Sequence, residues 1–240
     1  MSKSRKGIRR VVFKLSGEAL SGPRDSGIDL KTLFKFAHEI KSARSSNIQI
    51  AIVVGGGNIW RGARGQGLKL DRIFSDNMGM LATVINSLAL QDALEQVGVP
   101  TRVLSAIEIA KVAEPFIRRR AVRHLEKGRI VIFGAGTGNP YFSTDTAAAL
   151  RASEIEADIL LKATQVDGVY DSDPHQNKSA RRFKTLTLQE ALQRRLAVMD
   201  ATALSLCLQN RLPVRVFDLH KTGNVRRAVR GDDIGTLVVP

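Results

Sequence analysis

The chain has 240 residues, 43% of them hydrophobic, with a formal net charge of +14, a pI near 10.5 and one cysteine, Cys207. That length is enough for a full core in one α/β domain, a single thiol excludes an internal disulfide, and no apolar run approaches the roughly 18 residues of a membrane span. The histidines His38, His124, His175 and His220 lack metal-ligand spacing, and the basic clusters (the N-terminus, Arg118 to Arg120, Arg181-Arg182, Arg226-Arg227) have no aromatic residues between them to stack on nucleic acid bases.

Residues 8–15 read as a first strand closed by Ser16-Gly17, followed by a polar loop at 22–27. Asp29 is placed to cap a helix on which Leu33, Phe36, Ala37 and Ile40 recur at helical spacing. Residues 48–54 form a continuous apolar run of the kind buried on both faces of a parallel sheet, ending in Gly55-Gly56-Gly57-Asn58. A glycine- and arginine-rich loop follows (Arg61, Gly62, Arg64, Gly65, Gly67), then a long helix over 75–97 with Leu81, Val84, Ile85 and Leu88 on one face. Further strands are expected at 101–104, 129–133, 158–162, 214–217 and 235–239. Helices are expected at 116–127, in the alanine-rich segment after Asp145, at 188–196 and at 201–208. This alternation predicts an α/β fold with a mainly parallel β-sheet sandwiched between helices. No linker or repeat divides the chain, so one domain over 1–240 is expected.

The most unusual stretch is 134–145, where a strand empties into Gly134-Ala135-Gly136-Thr137-Gly138-Asn139-Pro140-Tyr141-Phe142-Ser143-Thr144-Asp145 and then a helix. Alternate glycines permit positive φ and close approach of a ligand, and a helix N-terminus favours phosphate. In an open parallel sheet ligands bind beyond the carboxyl ends of the strands. The candidate site therefore gathers Lys14-Leu15-Ser16-Gly17, Gly55-Gly56-Gly57-Asn58, 134–145 and 162–173. Lys14 and Arg61 are placed to neutralise a transferring phosphoryl group, and Asp145 to hold the lysine. Lys162 reads equally as a structural residue or a phosphate ligand. The Walker spacing and the Rossmann glycine spacing are both absent. The residues alone thus reach phosphoryl transfer or nucleotide binding.

Five motifs in order then resemble the bacterial uridylate (UMP) kinases of the amino-acid-kinase superfamily, over about residues 10–238. They are Lys14-Leu15-Ser16-Gly17-Glu18-Ala19-Leu20, Val54-Gly55-Gly56-Gly57-Asn58-Ile59-Trp60-Arg61-Gly62, Asp76-Asn77-Met78-Gly79-Met80-Leu81-Ala82-Thr83, Gly136 through Asp145, and Leu161-Lys162-Ala163-Thr164-Gln165-Val166-Asp167-Gly168-Val169. The resemblance implies the three-layer amino-acid-kinase fold and conversion of UMP to UDP with ATP and magnesium, in pyrimidine nucleotide biosynthesis. It implies that Lys14, Leu15, Ser16 and Gly17 contact the ATP phosphates, with Lys14, Asp145 and Arg61 catalytic. Gly57 and Arg61 also match ATP positions, and Thr164, Tyr170 and Asp173 the adenosine pocket. Gly56, Asp76 and the loop Thr137, Gly138, Asn139, Pro140, Tyr141, Phe142, Ser143 and Thr144 match the UMP site. No protein metal ligands are implied.

The same resemblance implies a homohexamer activated by GTP and inhibited by UTP, with Asp92 and Arg102 matching positions linked to GTP. A cytoplasmic location is expected from the lack of a membrane-length apolar run and of a signal-type apolar core after the basic N-terminus. Asn77 stands where the family commonly has histidine, Gln165 where it has lysine, and Gln91 where arginine is frequent. Gln165 bears on the ATP pocket and Gln91 on the strength of GTP activation. The alternative readings are a superfamily kinase acting on a carboxylate or carbamate, and a non-catalytic pyrimidine-sensing regulator.

Overall fold

The apolar runs of this chain become strands covered on both sides. The computed structural model describes residues 7–44, 47–61, 70–174 and 176–240. The N-terminal basic cluster, the stretch holding Gly62, Arg64, Gly65 and Gly67, and His175 lie outside the described residues. The first half comprises β1 (Arg10–Leu15), a 3-10 turn (Gly17–Leu20), α1 (Leu30–Ala43), β2 (Gln49–Val54), α2 (Arg72–Gln96), β3 (Thr101–Ser105), β4 (Glu114–Pro115), α3 (Arg118–Glu126) and β5 (Ile130–Gly134). The second half comprises α4 (Thr144–Glu154), β6 (Ile159–Thr164), β7 (Thr185–Thr187), α5 (Leu188–Gln193), α6 (Ala201–Gln209), β8 (Val214–Asp218), α7 (Asn224–Arg230) and β9 (Thr236–Val239).

Among the described residues nine strands join one sheet in the order β4-β3-β5-β2-β1-β6-β8-β9-β7. Pairing is parallel except between β8 and β9. Because side chains alternate along a strand, the sheet feeds two cores. Val11, Phe13, Leu15, Ile50, Ile52 and Val54 meet Leu33, Phe36 and Ile40 of α1 and Leu90 and Leu94 of α2. Val12, Ala51, Val53, Val131 and Phe133 meet Ala147, Ala148, Ala149 and Ala152 of α4 and Leu204 of α6. Each fully buried Leu, Ile, Val or Phe contributes about 1.5–3 kcal/mol, so the three layers rest chiefly on these two cores. The alanine run of α4 puts no large side chain between that helix and the sheet, which brings the helix backbone near β1.

The long helix departs from its sequence pattern. α2 begins at Arg72 because Asp71 caps it, its carboxylate accepting from the N–H groups of Ile73 and Phe74. Of the expected apolar face, Val84 is buried, but Leu81 and Ile85 are 49% and 50% exposed. The inward face is Ala82, Thr83, Asn86, Ser87, Leu90, Ala93 and Leu94. It is partly polar because it must satisfy the loop after β2: Asn86 Nδ2 donates to Gly55 O at 2.7 Å and to Asn58 Oδ1 at 2.7 Å. α2 is long and apolar enough, by length and composition, to cross a bilayer, yet it packs against the sheet through this polar face.

Strands β4 and β7 hold two and three residues, too short for a periodic pattern. α7 escaped prediction although Val225, Ala228 and Val229 are buried at helical spacing, and it lies between Gly223 and Gly231, both at positive φ.

Candidate active site

Lys14 and Lys162 are register partners on the adjacent strands β1 and β6. Two ammonium groups side by side repel, and Asp145 in the first turn of α4 lies between them. Its Oδ1 is 2.8 Å from Lys14 Nζ and its Oδ2 2.8 Å from Lys162 Nζ. All three side chains are largely buried. Asp145 Oδ1 has ion-pair contact with Lys14 but no well-aligned hydrogen bond from the protein. Burial pushes the Asp145 carboxyl up, but Lys14 and Lys162 outweigh it and hold the carboxyl below its ordinary range. Burial pulls the Lys162 ammonium below its ordinary value, opposed by Asp145 and reinforced by Lys14.

Asp145 is fixed by its helix end. Ser143 caps α4, its Oγ accepting from the N–H groups of Asp145 and Thr146 at 3.0 Å each, and the same hydroxyl donates to Asp200, the cap of α6. Lys162 Nζ also donates to Val198 O at 2.5 Å. Lys14, Lys162 and Asp145 thus form a rigid cluster with two cations and one anion.

The glycine loops around this cluster are held by close contact. A Cβ on Gly17 would lie 2.5 Å from both Gly57 N and Asn58 Oδ1, so the loops after β1 and β2 touch only because residue 17 has no side chain. Asn58 and Asn86 bond each other reciprocally, and Asn58 Nδ2 also reaches Gly27 O at 2.8 Å. Thr83 Oγ1 accepts from Ala135 N at 2.8 Å, tying α2 to the loop after β5. Arg61 pairs with Glu18 of the 3-10 turn.

Of the residues expected on the UMP side, Gly56, Asp76, Thr137, Asn139, Phe142 and Thr144 line one cavity of about 130 Å³. Trp60, Ser75 and Thr83 line it too and were not expected there, although Trp60 and Thr83 lie inside family motifs; Trp60 Nε1 donates to Ser75 Oγ at 3.1 Å. Gly138, Pro140, Tyr141 and Ser143 are in the loop but not on the cavity wall. The loop contains four residues at positive φ: Ala135, Gly136, Gly138 and Tyr141. Two of these are not glycine, which costs on the order of 1–2 kcal/mol each. Asp76 accepts Tyr141 N at 2.7 Å and Arg72 Nε at 2.8 Å, both on Oδ2.

Thr164 ends β6 with its hydroxyl donating to Val166 O, and Tyr170 OH donates to Asp167, a bond that raises the phenol's pKa. Asp173 O accepts from Gln176 N and Asn177 N. Asp92 and Arg102 do not line this cavity of about 130 Å³; Asp92 accepts from Gln96, and Arg102 pairs with Glu95 and Glu114. A larger cavity of about 1380 Å³ opens at the opposite edge of the sheet among Arg9, Arg10, Lys41, Arg44, Glu156 and Asp158. None of the glycine loops reaches it. Cys207 is buried, and burial followed by the charges of Asp145 and Asp200 pushes its thiol up to about 12, which removes it as a nucleophile at neutral pH. Among the described residues no three His, Cys, Asp or Glu side chains converge to hold a metal.

A parallel sheet with glycine loops and a Lys–Asp–Lys cluster at its carboxyl edge defines a nucleotide-type phosphotransferase site, and residues 9–218 match the amino acid kinase family. The chain belongs to that family. At finer scale it is similar to the crystal structure of UMP kinase from Bacillus anthracis, with 42% identity, 98% of this chain and 97% of that one covered, and a TM-score of 0.94. It is similar also to UMP kinase from Ureaplasma parvum (42% identity, 97% and 99% covered, TM-score 0.91) and to uridylate kinase from Archaeoglobus fulgidus (30%, 95% and 99%, 0.74).

Proposed function

We propose that this protein is a UMP kinase that transfers the γ-phosphoryl group of ATP to UMP, giving UDP and ADP. The single observation that carries the reading is the Lys14–Asp145–Lys162 cluster beside a cavity walled by Gly56, Asp76, Thr137 and Thr144. An oxygen of the UMP phosphate attacks the γ-phosphorus as the bond to the β,γ-bridging oxygen breaks, and ADP leaves. The attacking oxygen is already anionic, so no general base is needed. Lys14, with Lys162 beside it, stabilises the charge on the transferring group, and Asp145 fixes both ammonium groups. Leu15, Ser16, Gly17 and Gly57 offer backbone to the ATP phosphates. Arg61 exchanges Glu18 for phosphate oxygens.

Magnesium enters with ATP as part of the substrate, where it neutralises phosphate charge; both Asp145 oxygens already face lysines. Asp76 receives the ribose hydroxyls on Oδ1, since Oδ2 is engaged. Thr137 to Thr144 holds base and phosphate, and Thr164, Tyr170 and Asp173 the adenosine. One domain is our reading of 1–240, supported by the single sheet.

The protein is further proposed to be cytoplasmic and homohexameric. Support for self-association comes from the exposed apolar residues Phe74, Met78, Leu81 and Ile85 along α2. GTP activation is proposed to act near Asp92 and Arg102, and UTP inhibition is proposed with no site assigned to it. The deciding experiment is coupled ADP release with ATP, magnesium and UMP, CMP, dUMP, glutamate or acetylglutamate. Turnover with UMP supports the assignment, and turnover with an amino acid only would refute it.

A further inference from the structure

We propose that Arg72 is a positioning residue for the acceptor loop, acting through Asp76 and the Tyr141 ring. This rests on the UMP-kinase reading. Tyr141 is a non-glycine residue at φ 72°, in a loop that is already left-handed at Ala135, Gly136 and Gly138. The residue is 64% exposed, so burial does not hold it there. Two contacts do. The Tyr141 N–H donates to Asp76 Oδ2 at 2.7 Å, and the Arg72 guanidinium carbon lies 5.5 Å from the centre of the Tyr141 ring. Arg72 closes the triangle, because its Nε donates to the same Oδ2 at 2.8 Å from one turn earlier on α2.

The geometry divides the carboxylate into two functions. Oδ2, pinned by two donors, sets the rotamer of Asp76; Oδ1 accepts no hydrogen bond found among the described residues and is left for a ligand hydroxyl. The guanidinium is planar, so one face can stack on the ring while an edge N–H reaches the carboxylate, which an ammonium cannot do. Without Arg72 the carboxylate is held by the Tyr141 N–H alone and the Tyr141 ring loses its contact, so the strained backbone at 141 is less restrained and relaxes toward negative φ. Phe142 and Thr144 follow it away from the cavity wall. Arg72 does not itself line that cavity, and it touches neither Lys14 nor Asp145. Its effect therefore falls on the acceptor and not on ATP or on the chemical step.

The test uses the full chain with Arg72→Ala and Arg72→Lys. Arg72→Ala is expected to raise KM for UMP about tenfold, with kcat and KM for ATP within twofold of the parent and the melting temperature unchanged. Arg72→Lys, which keeps a donor but not the stacked plane, is expected to fall between. Limited chymotrypsin digestion, mapped by mass, reads the loop without any substrate: cleavage after Tyr141 and Phe142 is expected to accelerate about tenfold in Arg72→Ala while cuts outside the loop keep their rates. Unchanged UMP KM and unchanged cleavage overturn the proposal. So does a parallel loss of kcat, both KM values and melting temperature, because that is general destabilisation. If the parent protein neither binds nor phosphorylates UMP, the functional reading fails, and cleavage in the loop alone decides whether Arg72 holds it.

Discussion

Asp145→Asn removes the carboxylate paired with both largely buried lysines and leaves them facing each other on adjacent strands. Breaking a buried ion pair from one side costs about 3–5 kcal/mol. The structure also sets a ceiling. A lysine escapes the penalty by giving up its proton, and at pH 7 that is about 3.5 pH units below the ordinary value of 10.5, at about 1.4 kcal/mol each, or close to 5 kcal/mol. Lys162 is already depressed, so its own ceiling is lower. At pH 9 the same route costs only about 2 kcal/mol.

The destabilisation therefore shrinks with pH. A lysine whose folded pKa is lowered binds fewer protons folded than unfolded, so stability rises with pH across that window, and more steeply in the variant. Asp145 itself has a lowered folded pKa, so its contribution is complete above its ordinary 3.8 and is lost only as pH falls through the folded value; it is constant between pH 7 and 9. Urea unfolding of parent and Asp145→Asn, followed by circular dichroism at both pH values, is expected to show a loss of about 3–5 kcal/mol at pH 7 falling by at least a third at pH 9. A loss below about 1 kcal/mol at pH 7, or one that ignores pH, would refute the buried cluster as described.

Lys14→Ala is expected to lower turnover by several orders of magnitude while UMP affinity, read by isothermal titration, stays within threefold; intact turnover would remove Lys14 from its role. The alkaline limb of kcat/KM for ATP, which reports the free enzyme, is expected below pH 10.5 because Lys162 sheds its proton early, and Lys162→Arg should abolish that limb whatever activity it retains. Gly17→Ala puts a Cβ within 2.5 Å of Gly57 N and Asn58 Oδ1, so the loops after β1 and β2 must part. It is expected to cost about 1–3 kcal/mol in thermal unfolding and to raise KM for ATP, and a variant matching the parent in both would show that the contact is dispensable.

Much of the fold was legible because local physics wrote it. Residues 50–54 and 130–134 are apolar at consecutive positions, which only a strand covered on both faces requires, and the Asp29 cap and the alanine run of α4 lie where the pattern placed them. Lys14, Gly56, Thr137 and Asp145 were visible as residue types where parallel strands end, whereas Asp76, inside α2, was reached only through the motif resemblance.

What the sequence could not supply depends on register and on which side of an element faces in. Lys14 and Lys162 are 148 positions apart, and only the β1–β6 pairing puts them side by side around Asp145. On α2 the apolar residues Leu81 and Ile85 turned outward and Asn86 and Ser87 inward, because the inward face has to satisfy the backbone of the Gly55 to Asn58 loop as well as fill space. Composition along a chain records how much apolar surface an element has. Only packing decides which of its faces must also satisfy another segment's polar groups.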